Sequence, residues 1–198
     1  MTPRPYISYG QLILWERSPD EYMAKYFAGK VNRINRGMAL GKEIATALEN
    51  GEETGDFAKD FVIAQLPKYD LADVSITVSM NLGKKNIVPV LIKPDSIKKD
   101  LSALYEYKTG EIPWTQKKVD NDGQITFYAT GCWIEKKKIP VCELIWAPTA
   151  TNDEGKPELT GEIKRFPTIR RMSHILGMMS RIQKAWREIN ERCDAELI

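Results

Sequence analysis

Histidine is close to absent: the 198 residues contain one, His174. Zinc hydrolysis through an HEXXH helix, or any centre needing paired imidazoles, cannot be built from it, and a lone His in a helix-compatible stretch reads as structural. Cysteine is scarce as well. Cys132, Cys142 and Cys193 are widely spaced with no CxxC pair, which argues against a disulfide framework or a zinc site and leaves buried free thiols as the expectation. No apolar run approaches the roughly 18 residues that cross a bilayer, so no membrane partner is expected. The opening MTPRPYISYG has no basic region, long apolar core or small-residue cleavage site of a secretory signal, so a cytoplasmic location is expected. Excess charge is missing too. With 29 basic and 27 acidic residues, net +2, the chain as a whole does not announce a polyanion partner. Any catalysis must run on carboxylates and lysines.

The residues that are present are unevenly spread. Residues 49–73 hold seven acids against Lys59 and Lys68, while residues 84–118 hold eight lysines against four acids. One region repels phosphates and another attracts them, unless both are simply solvated faces. No Pro/Gly/Ser-rich linker or internal repeat divides the chain, so a single domain over 1–198 is expected. Its first part, 1–70, reads as helical. Ser8 and the run Ser18-Pro19-Asp20-Glu21 start two helices over 8–27. Leu40, Ile44 and Leu48 mark another over 36–49, and a shorter one follows at 56–66.

From Asp73 the period changes to two: Val74, Ile76, Val78 and Met80 alternate with Ser75, Thr77 and Ser79. IVPVLI (87–92) and LSALYEYK (101–108) follow as the second and third strands of a meander. A Lys-rich loop, a helix over 123–135, the apolar strand VCELIWA (141–147) and its hairpin partner TGEIKRF (160–166) complete a sheet-forming part spanning 73–166. Within 167–198, Ile169, Met172, Ile175, Met179, Ile182, Trp186 and Ile189 form one stripe of a long helix. This order predicts an α/β fold, a three-layer mixed β-sheet flanked by helices.

Glu106 and Lys108 lie two apart in a strand, so their side chains leave the same face. Asp95 ends the preceding strand. Pairing of those strands brings two carboxylates and an ammonium to one point, and two hard oxygen ligands with room for water suit Mg²⁺ or Mn²⁺. The pattern E-x-K occurs four times, at Glu106, Glu135, Glu154 and Glu162. Only Glu106-Tyr107-Lys108 closes an apolar strand with Pro94-Asp95 at the end of another. The competing reading is an ordinary ion pair at an exposed strand end.

The segment VLIKPDSIKKDLSALYEYKTG resembles the core of the PD-(D/E)XK nuclease superfamily, which implies a restriction-endonuclease-like core. Gln124 and Tyr128 form a Q-x-x-x-Y spacing on one helix face, as in RecB-like and CRISPR-associated exonucleases and related phage proteins. Ser8-Tyr9 to Tyr26, and Gly37 to Glu49, resemble the N-terminal helices and first catalytic helix of that branch. The resemblance implies a metal-dependent DNA nuclease, an exonuclease of recombination, repair or phage DNA processing. Asp95 and Glu106 are then metal ligands together with the Tyr107 carbonyl. Lys108 holds the attacking water or stabilises charge on the phosphate. Gln124 and Tyr128 order the lysine, a water or the DNA backbone, unless Gln124 caps its helix and Tyr128 is a core aromatic.

That branch often places a histidine in the first catalytic helix. The matching position here is near Ala45, so Glu43 is the substitute ligand, with Glu49 as the alternative and a solvated helix residue as the plainer reading of both. Some members hold an iron-sulfur cluster on four cysteines, one of them before an N-terminal proline. This chain has Arg17-Ser18-Pro19 there, so no cluster is expected.

The expected DNA track comprises Lys84, Lys85, Lys98, Lys99, Lys117, Lys118, Arg170 and Arg171, with Trp114 as a stacking residue. Lys136, Lys137 and Lys138 follow a helix C-terminus and complement its dipole equally well. Besides DNA, a helicase, recombinase or annealing protein is an expected partner, in the host cytoplasm if the chain is phage-encoded. The missing histidine also suggests an alternative, a catalytically degenerate DNA-binding or assembly subunit on the same fold. Sequence-specific restriction-like cleavage is less favoured, because no separate recognition insert is visible.

Overall fold

The computed structural model describes residues 4–29, 36–81, 83 and 87–195, with backbone alone at 36–38, 45, 48, 49 and 195. In chain order its elements are β1 (Ile7–Ser8), α1 (Tyr9–Arg17), α2 (Pro19–Tyr26), α3 (Arg36–Asn50), α4 (Phe57–Gln65), β2 (Leu71–Ala72), β3 (Ile76–Asn81), β4 (Ile87–Ile92), β5 (Ser96–Ile97), β6 (Ala103–Gly110), α5 (Gln116–Asp120), α6 (Gly123–Lys136), β7 (Val141–Thr151), β8 (Pro157–Leu159), β9 (Lys164–Thr168) and α7 (Met172–Ala195). Helix starts fall where short polar side chains can take the free N–H groups of the first turn. Ser8 accepts from Gln11, Ser18 from Glu21 with Pro19 beginning the helix, Asp56 from Ala58 and Lys59, and Asp122 from Ile125. The stretch that reads as a Lys-rich loop contains α5, which Thr115 caps through the Lys118 N–H.

The strands form two sheets, β1-β4-β3 and β2-β5-β6-β7, with β8 and β9 both antiparallel to β7. The expected meander is therefore bent: β6 pairs with β5, not with β4. The ladders β3–β4 (Val78↔Val90) and β2–β5 (Ala72↔Ser96) keep one register across an interruption at Asp73 and Asp95. Pro94 has no N–H to continue the ladder, and Asp73 turns into the left-handed region (φ 49). One backbone bond, Asp73 N–H to the Asp95 carbonyl at 3.1 Å, survives at the bend.

On its other side β6 runs parallel to β7, with α6 in the crossover, so the sheet is mixed. The return strand expected at 160–166 is split. β8 pairs with the far end of β7 (Thr149↔Leu159) and β9 with its near end (Leu144↔Phe166). The register slips by two between them, around Gly161 at φ 83.

Helices cover both faces, as the order of elements predicts. Against one face α1, α6 and α7 bury Leu12, Val90, Ile92, Leu104, Ile125, Phe127 and Ile182. Against the other, α3 and α4 pack Leu40, Ile44 and Leu66 on Ile145, Tyr105 and Tyr107. In α7 the buried stripe starts at Ile175, and Ile169 stays 81% exposed ahead of the helix. All three cysteines are buried free thiols. His174 is exposed, its Nδ1 accepting the Arg171 N–H at 3.3 Å. Among the described residues no helix is long and apolar enough to cross a membrane.

Candidate active site

Strand pleating sends Glu106 and Lys108 toward α6 and their neighbours Tyr105 and Tyr107 toward α3. Under α6 the polar side chains form one line. Lys108 Nζ donates to Glu106 Oε1 at 2.6 Å and to Gln124 Oε1 at 2.9 Å, and Gln124 Nε2 donates to Tyr128 Oη at 2.8 Å. Gln124 is thus a partner of the lysine and not the helix cap, a place Asp122 takes. Tyr128 is both a buried aromatic and the end of this line. The helix comes this close because Gly131 has no side chain: a Cβ there would run into Ile92 of β4.

Asp95 sits at the bend of the hairpin, where the ladder cannot continue. Its Oδ2 accepts the Tyr107 N–H at 2.7 Å, which fixes the carboxylate against β6 beside Glu106. Burial raises Asp95 above the usual carboxylate range, although the Tyr107 amide and the Lys108 ammonium pull it back. Glu106 is 2% exposed. Burial, and after it the Asp95 carboxylate, push it up to about 8. For Lys108 burial acts downward, but the Glu106 carboxylate and its hydrogen bond outweigh it, so the ammonium is held above its ordinary value. One buried and one half-buried carboxylate against one ammonium leave excess negative charge, which a proton or another cation relieves.

Whether a divalent cation fits can be judged from one atom. Glu106 Oε2 is buried with no hydrogen-bond partner, the one such side-chain atom among the described residues. A bare, desolvated carboxylate oxygen is costly unless something positive takes it. Among the described residues no group of three or more His, Cys, Asp or Glu side chains is placed to hold a metal ion. The oxygens on hand for such an ion would be two carboxylates with backbone and water to complete its shell, a set that suits a hard ion such as Mg²⁺ that keeps several waters.

The other residues singled out in the sequence are scattered. Glu43 lies on the exposed side of α3, and its Oε1 accepts from Lys59 Nζ at 2.8 Å. It is not one of the main influences on Asp95 or Glu106. The side chain of Glu49, and Lys84 and Lys85 entirely, lie outside the described residues. Lys98, Lys99, Lys117, Lys118 and Arg171 are exposed. Lys98 covers the ring of Tyr69 and Lys118 that of Trp114, the latter at 3.9 Å.

Arg170 is 2% exposed, and its guanidinium is spent inside the fold. It donates to Thr126 Oγ1, Thr168 Oγ1 and the carbonyls of Val119 and Asp122. It clamps α5, the start of α6 and the end of β9 together, a structural task that the dipeptide Arg170-Arg171 does not disclose. Asp122 acts on Glu106 and Lys108 as a further charge. Its place one residue before a helix that begins Gly-Gln is the signal that marks it.

Comparison with protein-family models and with curated protein sequences gives no match. Among solved structures the chain is similar to a candidate exonuclease from Eubacterium rectale, at 12% identity over 97% of this chain and 82% of that one, TM-score 0.60. This likeness shows a shared fold. It is also similar, at 14% identity over 98% of this chain and 95% of the other with TM-score 0.48, to the alkaline exonuclease LHK-Exo from Laribacter hongkongensis. The complex of LHK-Exo with dAMP gives 13% and 0.49.

Proposed function

We propose that the chain is a Mg²⁺- or Mn²⁺-dependent deoxyribonuclease of PD-(D/E)XK type, with its centre at Asp95, Glu106 and Lys108. The observation that carries this reading is the buried, unpartnered Glu106 Oε2 beside Asp95. Asp95, Glu106 and the Tyr107 carbonyl would hold the metal, which supplies Lewis-acid polarisation of a phosphodiester and acidification of a water. Lys108 orients the attacking water or neutralises charge growing on the phosphate. Gln124 aims the ammonium, and Tyr128 fixes Gln124 in turn. Lys98, Lys99, Lys117, Lys118 and Arg171, with Trp114 for stacking, form the electrostatic track for DNA. An exonuclease role in recombination, repair or phage DNA processing, beside a helicase, recombinase or annealing protein, follows from the family resemblance.

The test is cleavage of end-labelled single- and double-stranded DNA with Mg²⁺ or Mn²⁺ by wild type, Asp95→Ala and Lys108→Ala. Wild-type protein that leaves every substrate intact sinks the proposal. A second reading, a DNA-binding subunit without catalysis, is favoured by the absence of a third acidic or imidazole side chain at the site among the described residues. Calorimetry separates the two: DNA binding with no divalent metal binding selects the subunit.

A further inference from the structure

We propose that Tyr9 is a substrate-contacting residue of this site, donating its phenolic hydrogen to a non-bridging oxygen of the phosphodiester held beside Lys108. This rests on the nuclease reading. Tyr9 opens α1, directly after the Ser8 cap, and its backbone is tied to the catalytic strand system: β1 runs parallel to β4 with Ser8 opposite Leu91, three residues before Pro94. The ring lies against Phe127 of α6, centroids 5.9 Å apart. Its hydroxyl reaches over the first residue of that helix. A Cβ built on Gly123 would stand 2.7 Å from Tyr9 Oη and 3.3 Å from its Cε2, so only glycine leaves room for the hydroxyl there.

Gly123 is the neighbour of Gln124, whose amide oxygen takes Lys108 Nζ. Asp122, the cap of α6, and Lys108 are among the charges that act on the hydroxyl, together with Arg181 and Glu16. Arg181 and Glu16 are committed to each other through two bonds, at 2.8 and 2.6 Å. What acts on Tyr9 Oη within the described residues is burial and these charges, with no hydrogen bond among the causes of its shift. Burial holds the hydroxyl above its ordinary range, so it keeps its proton and is a donor at neutral pH. A half-buried donor packed on α6 over Gly123, one residue before the partner of Lys108, fits an anionic oxygen arriving with substrate.

Two single variants and their combination test this in a cleavage assay at saturating metal. Tyr9→Phe keeps the ring and removes the donor. It should lower kcat by about tenfold to a hundredfold, the worth of one hydrogen bond to a charged oxygen, with KM within about twofold and Tm unchanged. Gly123→Ala favours the helix but drives the hydroxyl aside, and should lose activity to a similar degree. The double variant should be no worse than the poorer single one, because both act through the same atom. Tyr9→Phe protein with wild-type kcat overturns the proposal, as does a change confined to Tm or KM. Losses in the two single variants that multiply in the double overturn it too. If wild type itself fails to cut, the nuclease reading falls and takes Tyr9 with it; cleavage that Lys108→Ala abolishes and Tyr9→Phe leaves intact removes Tyr9 alone.

Discussion

Glu106 and Lys108 pair at 2.6 Å under α6, and Glu43 and Lys59 pair at 2.8 Å between α3 and α4, on the opposite side of the sheet. The chemistry is the same and the surroundings are not. The Glu106 side chain is 2% exposed and the Glu43 side chain 46%. Under α6 the lysine is shared with Gln124, one carboxylate oxygen has no partner, and a second carboxylate stands alongside. Between α3 and α4 the pair borders an open groove of about 680 Å³ with Asp56 beside Lys59, and water supplies what the protein does not. A lysine–carboxylate contact alone therefore marks nothing. Burial that leaves the pair incompletely satisfied is what singles out a reactive centre.

The sharpest way to break this contrast is to remove its buried half. Asp95→Ala or Lys108→Ala should cut DNA cleavage by about a thousandfold or more, read as initial rates with far-UV circular dichroism unchanged. Gln124→Ala should cost about ten- to a hundredfold in kcat, because Lys108 loses its anchor while Glu106 still holds it. Replacing Arg170 by Met removes four hydrogen bonds, two to carbonyls and two to hydroxyls, and leaves a buried polar pocket facing a thioether, so urea unfolding should show a loss of about 3 kcal/mol. A variant as stable as wild type would deny Arg170 its clamp.

A fourth experiment uses the proton. Glu106 in the metal-free fold binds its proton up to about pH 8, whereas in the unfolded chain it lets go near 4.5. Its contribution to stability is then full below about 4.5 and disappears as pH rises through 8. Metal-free wild type should lose Tm across that window relative to Glu106→Gln, and parallel curves would refute the burial argument. The smallest effect belongs to the other half of the comparison. Glu43→Gln should leave cleavage within about threefold and stability within about 1 kcal/mol, whereas a loss on the scale of Asp95→Ala would restore Glu43 as a ligand.

Local chemistry made much of this architecture readable in advance. Ser8, Ser18, Asp56 and Asp122 cap as their side chains dictate, and the period-two run through Ile76, Val78 and Met80 is a strand. The spacing of Glu106 and Lys108 places both under α6, with Gln124 and Tyr128 one turn apart to meet them. What escaped depends on contacts distant in sequence. The bend at Asp73 and Asp95 arises from two strands meeting, and the split of the return strand from a register slip around Gly161. Arg170 looks like any basic residue until Thr126, Thr168, Val119 and Asp122 close around it. Glu43, the sequence's substitute for a family ligand, is paired with Lys59 across α3 and α4, a contact that its own helix spacing does not disclose.

The 2.7 Å bond from the Tyr107 amide to Asp95 Oδ2 also gives the molecule a built-in reporter. An amide proton resonates further downfield the more negative its acceptor, so the ¹H–¹⁵N signal of Tyr107 tracks the charge on Asp95. Neutralisation by a proton or capture by an ion would each draw electron density off that oxygen and move the peak upfield. One backbone resonance, followed through a titration with Mg²⁺, therefore reads the state of the centre without any substrate present.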